Sequence, residues 1–175
     1  MEQFKTLNEV GQPDERHALL DAVTGTQLTL EGLHHALSQL SLSSSAPAEI
    51  QSQFNVCRNL ALYTWYSYSL DPVVQLKSYI LIEHALDIRD GRRKRNFKGL
   101  LKRAVSERWI VDAGFSHVRQ TSGDDQAYCK KLIGVLPSLR NAAAHGSNAL
   151  HQNAVQCLAL SADFINQLFR AESLE

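Results

Sequence analysis

Apolar residues recur at the spacing of an α-helix through most of this chain. In one stretch Ile50, Phe54, Cys57 and Ala61 follow one another at intervals of four, three and four residues. Such intervals place side chains on a single helix face, because an α-helix has about 3.6 residues per turn. No segment shows the strict alternation of apolar and polar residues, or the hairpin turn residues, that a β-sheet needs. The pattern therefore predicts an all-α fold.

Turn-forming residues divide the chain into an extension and a bundle. Pro13, with the acidic residues after it, predicts a short first helix that ends before Gly25, and Thr29 precedes a second helix. The serine-rich segment 41–46 has no periodicity and predicts a connection. We therefore predict a helical N-terminal extension with a linker over residues 1–46, and a bundle of about five core helices over residues 47–175.

Capping residues and prolines mark the helices of the bundle. Asp71 followed by Pro72 is a typical N-cap and first-turn pair. Pro137 lies inside a predicted helix and indicates a kink just before Arg140, because proline removes a backbone hydrogen bond and clashes with the preceding turn. The five predicted helices run from 48 to about 66, from Asp71 to Gly91, from 97 to 109, from Asp124 or Asp125 to Gly146, and from Ser147 or Asn148 to about 169, with a loop over 112–124.

The composition limits the class of protein. A chain of 175 residues that is 44% hydrophobic can bury one sizeable core. No apolar run approaches the ~20 residues of a membrane-spanning helix, and the first residues lead into charged sequence, so we expect a cytoplasmic protein that makes no membrane contact. The three cysteines are an odd number and form no CxxC pair, and the adjacent His34 and His35 have no carboxylate or cysteine at ligand spacing. We therefore expect no metal and no cofactor.

The charges are unevenly distributed, although 18 basic and 18 acidic residues cancel. Half of the cations lie between positions 89 and 108, whereas the first 49 residues contain seven carboxylates and only two cations. A basic surface in a neutral protein suggests a phosphate backbone or an acidic protein face as its partner, although charge runs also form simple solvated turns. The residues predicted to bind RNA are Arg92, Arg93, Lys94, Arg95, Lys98, Lys102 and Arg103.

One short segment combines residue types that can act on phosphate esters. Arg140, Asn141 and His145 place a permanent cation, an amide and a titratable imidazole within six residues. Arginine presents a planar fork that suits phosphate oxygens, and histidine gives or takes a proton near neutral pH. Without further context such a pair also caps helix carbonyls or joins an ion-pair network.

The spacing of this segment resembles the R-x4-6-H signature of the HEPN superfamily, whose members favour Asn, Asp or His directly after the arginine. The predicted order of helices from about residue 48 to 169 is also similar to that of a HEPN helical bundle. The resemblance implies metal-independent endoribonuclease activity in a homodimer that brings two motifs together. Other members of that superfamily are inactive scaffolds or nucleotide binders.

In the implied reaction the 2′-hydroxyl of RNA attacks the adjacent phosphorus, giving a 2′,3′-cyclic phosphate. His145 would move protons, Arg140 would stabilise the phosphorane oxygens and Asn141 would orient one of these groups. Glu83 falls on the apolar stripe of the second core helix, where an unpaired carboxylate is unusual. We predict that it holds Arg140 or His145 in position; the alternative is a helix-edge residue that reaches solvent or Lys77.

Three functions remain open from the sequence. The first is a homodimeric endoribonuclease of the HEPN type, a toxin or defence effector with a cognate inhibitor protein. The second is a non-catalytic HEPN module that assembles with a partner protein, and the third is nucleotide binding by the same Arg140 and His145. Tyr63, Trp65 and Tyr66 are able to stack on bases, although aromatics at helical spacing more often belong to a core.

Overall fold

The computed structural model describes residues 3–25, 27–119, 123–145 and 154–170. These residues form α-helices and two single 3-10 turns, without a β-strand among them, so the all-α prediction is confirmed. No helix in these ranges is both long enough and apolar enough to cross a membrane. The helices are α1 (Arg16–Thr24), α2 (Leu30–Ser38), α3 (Ala48–Tyr63), α4 (Asp71–Arg89), α5 (Phe97–Ser106), α6 (Ala127–Ala144) and α7 (Ala154–Leu168).

Helix α4 is the centre of the bundle. Helices α3, α5, α6 and α7 all pack against it. Its sequence is apolar on several sides, as expected for a helix surrounded by others, and Val74, Leu81, Ile82 and Leu86 are completely buried. A side chain that extends from α4 is consequently held on a rigid element, which bears on the position of Glu83.

The N-terminal extension packs onto the same bundle. Leu33 and Leu37 of α2 belong to the continuous hydrophobic core that α3, α4 and α7 share. Ahead of α1, the buried carboxylate of Asp14 accepts a hydrogen bond of 2.8 Å from the backbone N–H of Tyr68. The linker is attached as well, because the backbone N–H of Ser43 donates to the side chain of Asn166 on α7 at 2.7 Å.

The start of α4 differs from its prediction. Leu70 is the N-cap, and Asp71 is already the first helical residue. The buried carboxylate of Asp71 accepts hydrogen bonds from the side chain of Gln75 and from the backbone N–H of Ala154, the first residue of α7. Asp71 therefore joins the beginnings of two helices that are distant in the sequence.

The start of α6 is also capped from a distance. Gln126 precedes the helix without capping it, and the carboxylate of Asp112 accepts from the backbone N–H groups of Tyr128 and Cys129 at 2.8 and 2.9 Å. The capping prediction for Asp124 or Asp125 was therefore wrong; Asp124 instead accepts from the backbone of Gln126 at 3.1 Å. The carboxylate of a residue in the preceding loop satisfies the free N–H groups that begin the helix.

Two helix ends were predicted too late. Helix α3 ends at Tyr63 and α5 ends at Ser106, a few residues before the predicted limits. After α5, Arg108 takes a left-handed backbone conformation with φ of 53°, and the N–H of Trp109 donates back to Ala104. The predicted caps Gly146, Ser147 and Asn148 lie outside the described residues.

Candidate functional site

Helix α6 carries the segment that contains Arg140, Asn141 and His145. Leu132 and Leu136 are buried on its inner face and fix the helix on the bundle. Helix α6 continues through Pro137 to Ala144, so proline does not end it. The hydroxyl of Ser138 donates to the backbone carbonyl of Gly134 at 3.0 Å, one turn earlier.

The guanidinium of Arg140 has two partners within the chain. Nη2 donates to Oε2 of Glu83 on α4 at 3.2 Å, and Nη1 donates to Oδ1 of Asn141 at 3.2 Å. The Nε atom of Arg140 is buried and has no hydrogen-bond partner among the described residues. The guanidinium is consequently fixed in direction.

Glu83 lies on the same side of α4 as the end of α6. Its side chain is 26% exposed and that of Arg140 is 37% exposed, so their ion pair lies at the edge of solvent. Such a pair contributes up to about 1 kcal/mol to stability. The predicted alternative partner, Lys77, donates instead to Oε1 of Gln53 at 3.4 Å.

His145 is the residue that follows the last turn of α6. Its backbone N–H donates to the carbonyl of Asn141 at 3.0 Å, and the residue is exposed. The imidazole makes no hydrogen bond to any described residue. Because five helical residues rotate a side chain by about 140°, Arg140 and His145 leave the helix in different directions. Arg140 is directed to α4, and His145 lies just after the C-terminal residue of α6.

The predicted RNA-binding residues fall into two groups. Three of them are engaged in ion pairs: Arg92 with Glu49 at 3.0 Å, and both Arg95 and Arg103 with Asp90, at 3.1 and 2.7 Å. The side chain of Asp90 is fully buried, and Arg103 also stacks over the ring of Trp109. Within the described part of the chain, the other four are exposed and have no ion-pair partner; they are Arg93, Lys94, Lys98 and Lys102.

The loop between α4 and α5 has a left-handed backbone that presents these cations. Gly91, Arg92 and Lys94 have φ angles of 70°, 56° and 55°. Left-handed non-glycine residues each cost on the order of 1 kcal/mol and persist only where neighbouring contacts hold them. Here the N–H of Arg92 donates to the carbonyl of Asp87 at 2.8 Å. The loop is therefore fixed, with Arg93 and Lys94 in solvent.

The role of Asp90 was not predictable from the sequence. A carboxylate in a segment with nine cations is expected at the surface, and only the packing of α5 on α4 buries Asp90 between Arg95 and Arg103. Among the described residues no group of three or more His, Cys, Asp or Glu side chains is arranged to hold a metal ion.

Comparisons of this chain with protein-family models, with curated proteins and with solved structures found no match.

Proposed function

We propose that this protein is a metal-independent endoribonuclease of the HEPN type. The proposal is supported by the side chains at the end of α6. There Glu83 and Asn141 fix the guanidinium of Arg140, and the exposed imidazole of His145 follows five residues later. Arg140 would stabilise the negative charge on the phosphorane, and His145 would transfer the proton of the 2′-hydroxyl or of the leaving oxygen. No step of this reaction requires a cofactor.

The proposed active unit is a homodimer. Arg140 and His145 leave one helix in different directions, so a site that contains both is completed more readily by two copies of α6 that meet across a two-fold axis. The exposed residues Arg93, Lys94, Lys98 and Lys102 would attract RNA through its phosphates, without reading its sequence. A toxin or defence role with a cognate inhibitor and a cytoplasmic location belong to the same proposal.

Incubation of labelled single-stranded RNA with the purified protein in EDTA tests the activity. We expect products that end in 2′,3′-cyclic phosphate and 5′-hydroxyl groups, and no cleavage where the scissile nucleotide lacks its 2′-hydroxyl. Arg140→Ala and His145→Ala should each lower the rate by on the order of a hundredfold or more. Matched controls are Lys131→Ala, an exposed cation of α6, and His35→Ala, an exposed imidazole of α2. Cleavage that persists in both site variants, or intact RNA with the wild type, contradicts the proposal.

Mixing the two inactive variants tests the dimeric site. If each site takes arginine from one subunit and histidine from the other, a mixed dimer has one intact site, and subunit exchange restores about a quarter of the wild-type activity. If both residues of a site come from the same subunit, the mixture stays inactive. The mass in solution, measured by light scattering, should be that of two chains.

The second candidate function is a non-catalytic module that assembles with a partner protein. The observation in its favour is that Arg140 already has Glu83 and Asn141 as partners, which is also how an arginine joins two helices. This candidate gains support if the wild type leaves RNA intact while Arg140→Ala weakens a partner complex.

A further inference from the structure

An open groove lies between α2 and the C-terminal end of α3, on a part of the molecule that the proposed nuclease site does not use. Its volume of about 750 Å³ falls within the range of small-molecule sites. The lining residues are Leu30, Glu31 and His34 of α2, and Asn59, Leu62, Tyr63 and Tyr66 at the end of α3 and in the turn after it.

The groove has an aromatic and apolar wall. Tyr63 is 59% exposed, which is unusual for a large ring in a packed helix, and Tyr66 is half-buried. The third aromatic of this turn, Trp65, is not part of the lining, because it stacks on His17 with ring centroids 5.0 Å apart. That contact fixes the turn and leaves the two tyrosines to the groove.

The polar side chains of the groove are unsatisfied by the protein. Within the described residues, Glu31, His34 and Asn59 make no side-chain hydrogen bond or ion pair, and the same holds for the hydroxyls of Tyr63 and Tyr66. Glu31, His34 and Asn59 are exposed, so their side chains are open to an incoming ligand. A ligand in the groove would therefore find free donors and acceptors.

The one permanent charge in the lining of the groove is negative. Glu31 is the one carboxylate of the lining, and the lining includes neither lysine nor arginine. The nearest cation on α3, Arg58, donates to the carbonyl of Leu37 at 3.0 Å and to Asn55 at 3.2 Å. Its guanidinium is thus engaged outside the groove, so the lining holds no permanent cation to balance an anionic ligand.

We propose that this groove binds a small organic cation with an apolar or aromatic body. The carboxylate of Glu31 would attract the positive charge, and the rings of Tyr63 and Tyr66 would stabilise it through cation–π contacts. Leu30 and Leu62 would bury the apolar part of the ligand. The same arrangement disfavours phosphates and carboxylates, so this site differs in chemistry from the proposed RNA surface.

Calorimetric titration of the whole chain with benzyltrimethylammonium tests the proposal, with benzyl alcohol as the neutral probe and benzoate as the anionic one. We expect saturable binding of the cation, weaker binding of the alcohol and none of benzoate. Glu31→Gln and Tyr63→Leu should each weaken cation binding roughly threefold to fivefold. Glu15→Gln, which removes the same charge from an exposed position outside the lining, should leave it unchanged.

Three results would each overturn the proposal. These are benzoate binding as tightly as the cation, an affinity for the cation that Glu31→Gln does not change, and the absence of any saturable heat with the cation. Circular dichroism of each variant shows whether it has folded. Arg140→Ala should retain cation binding, so the outcome is independent of whether the protein cleaves RNA.

Discussion

Arg140 and Glu83, which are 57 positions apart in the sequence, meet at 3.2 Å where α6 packs on α4. The contact fixes the guanidinium of the proposed nuclease from a helix outside the motif. The ion pair lies at the edge of solvent, so it contributes little to the free energy of unfolding, but it still sets the direction of the guanidinium. This difference makes orientation separable from stability by experiment.

Glu83→Gln should lower RNA cleavage much more than it lowers stability. Loss of the carboxylate leaves Arg140 free to turn, and misplacement of a catalytic group by about 1 Å costs on the order of a hundredfold in rate. The free energy of unfolding in urea should fall by about 1 kcal/mol or less. If the rate falls only in proportion to the folded fraction, Glu83 has no positioning role. Lys77→Gln on the same helix is the matched control.

The four exposed cations Arg93, Lys94, Lys98 and Lys102 should account for most of the salt dependence of RNA binding. Their joint replacement by glutamine should reduce the slope of log K against log salt by up to about 3, because each phosphate contact with a single strand contributes about 0.7. Stability should change little, since none of the four is ion-paired within the described residues. The measurement is fluorescence anisotropy with labelled RNA over a series of salt concentrations.

Arg103→Gln should lower the stability of the protein and leave the salt dependence of RNA binding unchanged. This residue pairs with the fully buried Asp90 and stacks on Trp109, and loss of one partner of a buried pair typically costs about 3 kcal/mol or more. Arg95 remains beside Asp90 and limits the loss. A large drop in urea midpoint with an unchanged salt slope is the expected result. A changed slope at unchanged stability would place Arg103 on the RNA surface instead.

Asp14 should make the stability of the protein depend on pH. Burial alone would raise the pKa of this carboxyl group, but hydrogen bonds from the Arg16 side chain and from the backbone N–H groups of Tyr68 and Arg16 hold the pKa well below its ordinary value of 3.8. Because the folded-state pKa is depressed, the ionised carboxylate stabilises the protein above the unfolded-state pKa. That contribution is lost as the pH falls through the folded-state pKa.

Asp14→Asn should therefore lower the free energy of unfolding at neutral pH by about 1.5–3 kcal/mol, the usual range for hydrogen bonds to a charged group. Urea unfolding at a series of pH values checks this. The difference between wild type and variant should shrink as the pH falls below 3.8, where the unfolded chain takes up the proton. A difference that is constant with pH would exclude the charge as its cause.

Gly114→Ala should destabilise the 3-10 turn before α6. A Cβ atom at this position would lie 2.0 Å from Cδ of Gln167, whose buried side chain accepts from the N–H of Val111 at 2.9 Å. Displacement of Gln167 breaks that hydrogen bond, so we expect a loss of about 1–3 kcal/mol in thermal or urea unfolding. In a Gln167→Ala background, Gly114→Ala should cause almost no further loss of unfolding free energy. If the losses from the two substitutions add, the two residues do not collide.

The helices themselves were predictable because they depend on local pattern. Intervals of three and four residues placed Ile50, Phe54, Cys57 and Ala61 in the core, and all four are buried. Thr29 directly precedes α2, as predicted, and its side chain caps the helix by accepting from the N–H of Gly32. Periodicity and capping are properties of neighbouring residues, and neighbouring residues are what a sequence displays directly.

Contacts between distant residues were decided only by tertiary packing. Asp112 caps α6 from the preceding loop. Asp90 forms ion pairs with Arg95 and Arg103 in a segment whose charged residues are mostly basic. The groove beside Glu31 likewise exists only because α2 lies against α3. A buried carboxylate needs a hydrogen-bond donor as its partner. Which residue supplies that donor depends on how the helices pack, and the local spacing of residues does not encode that packing.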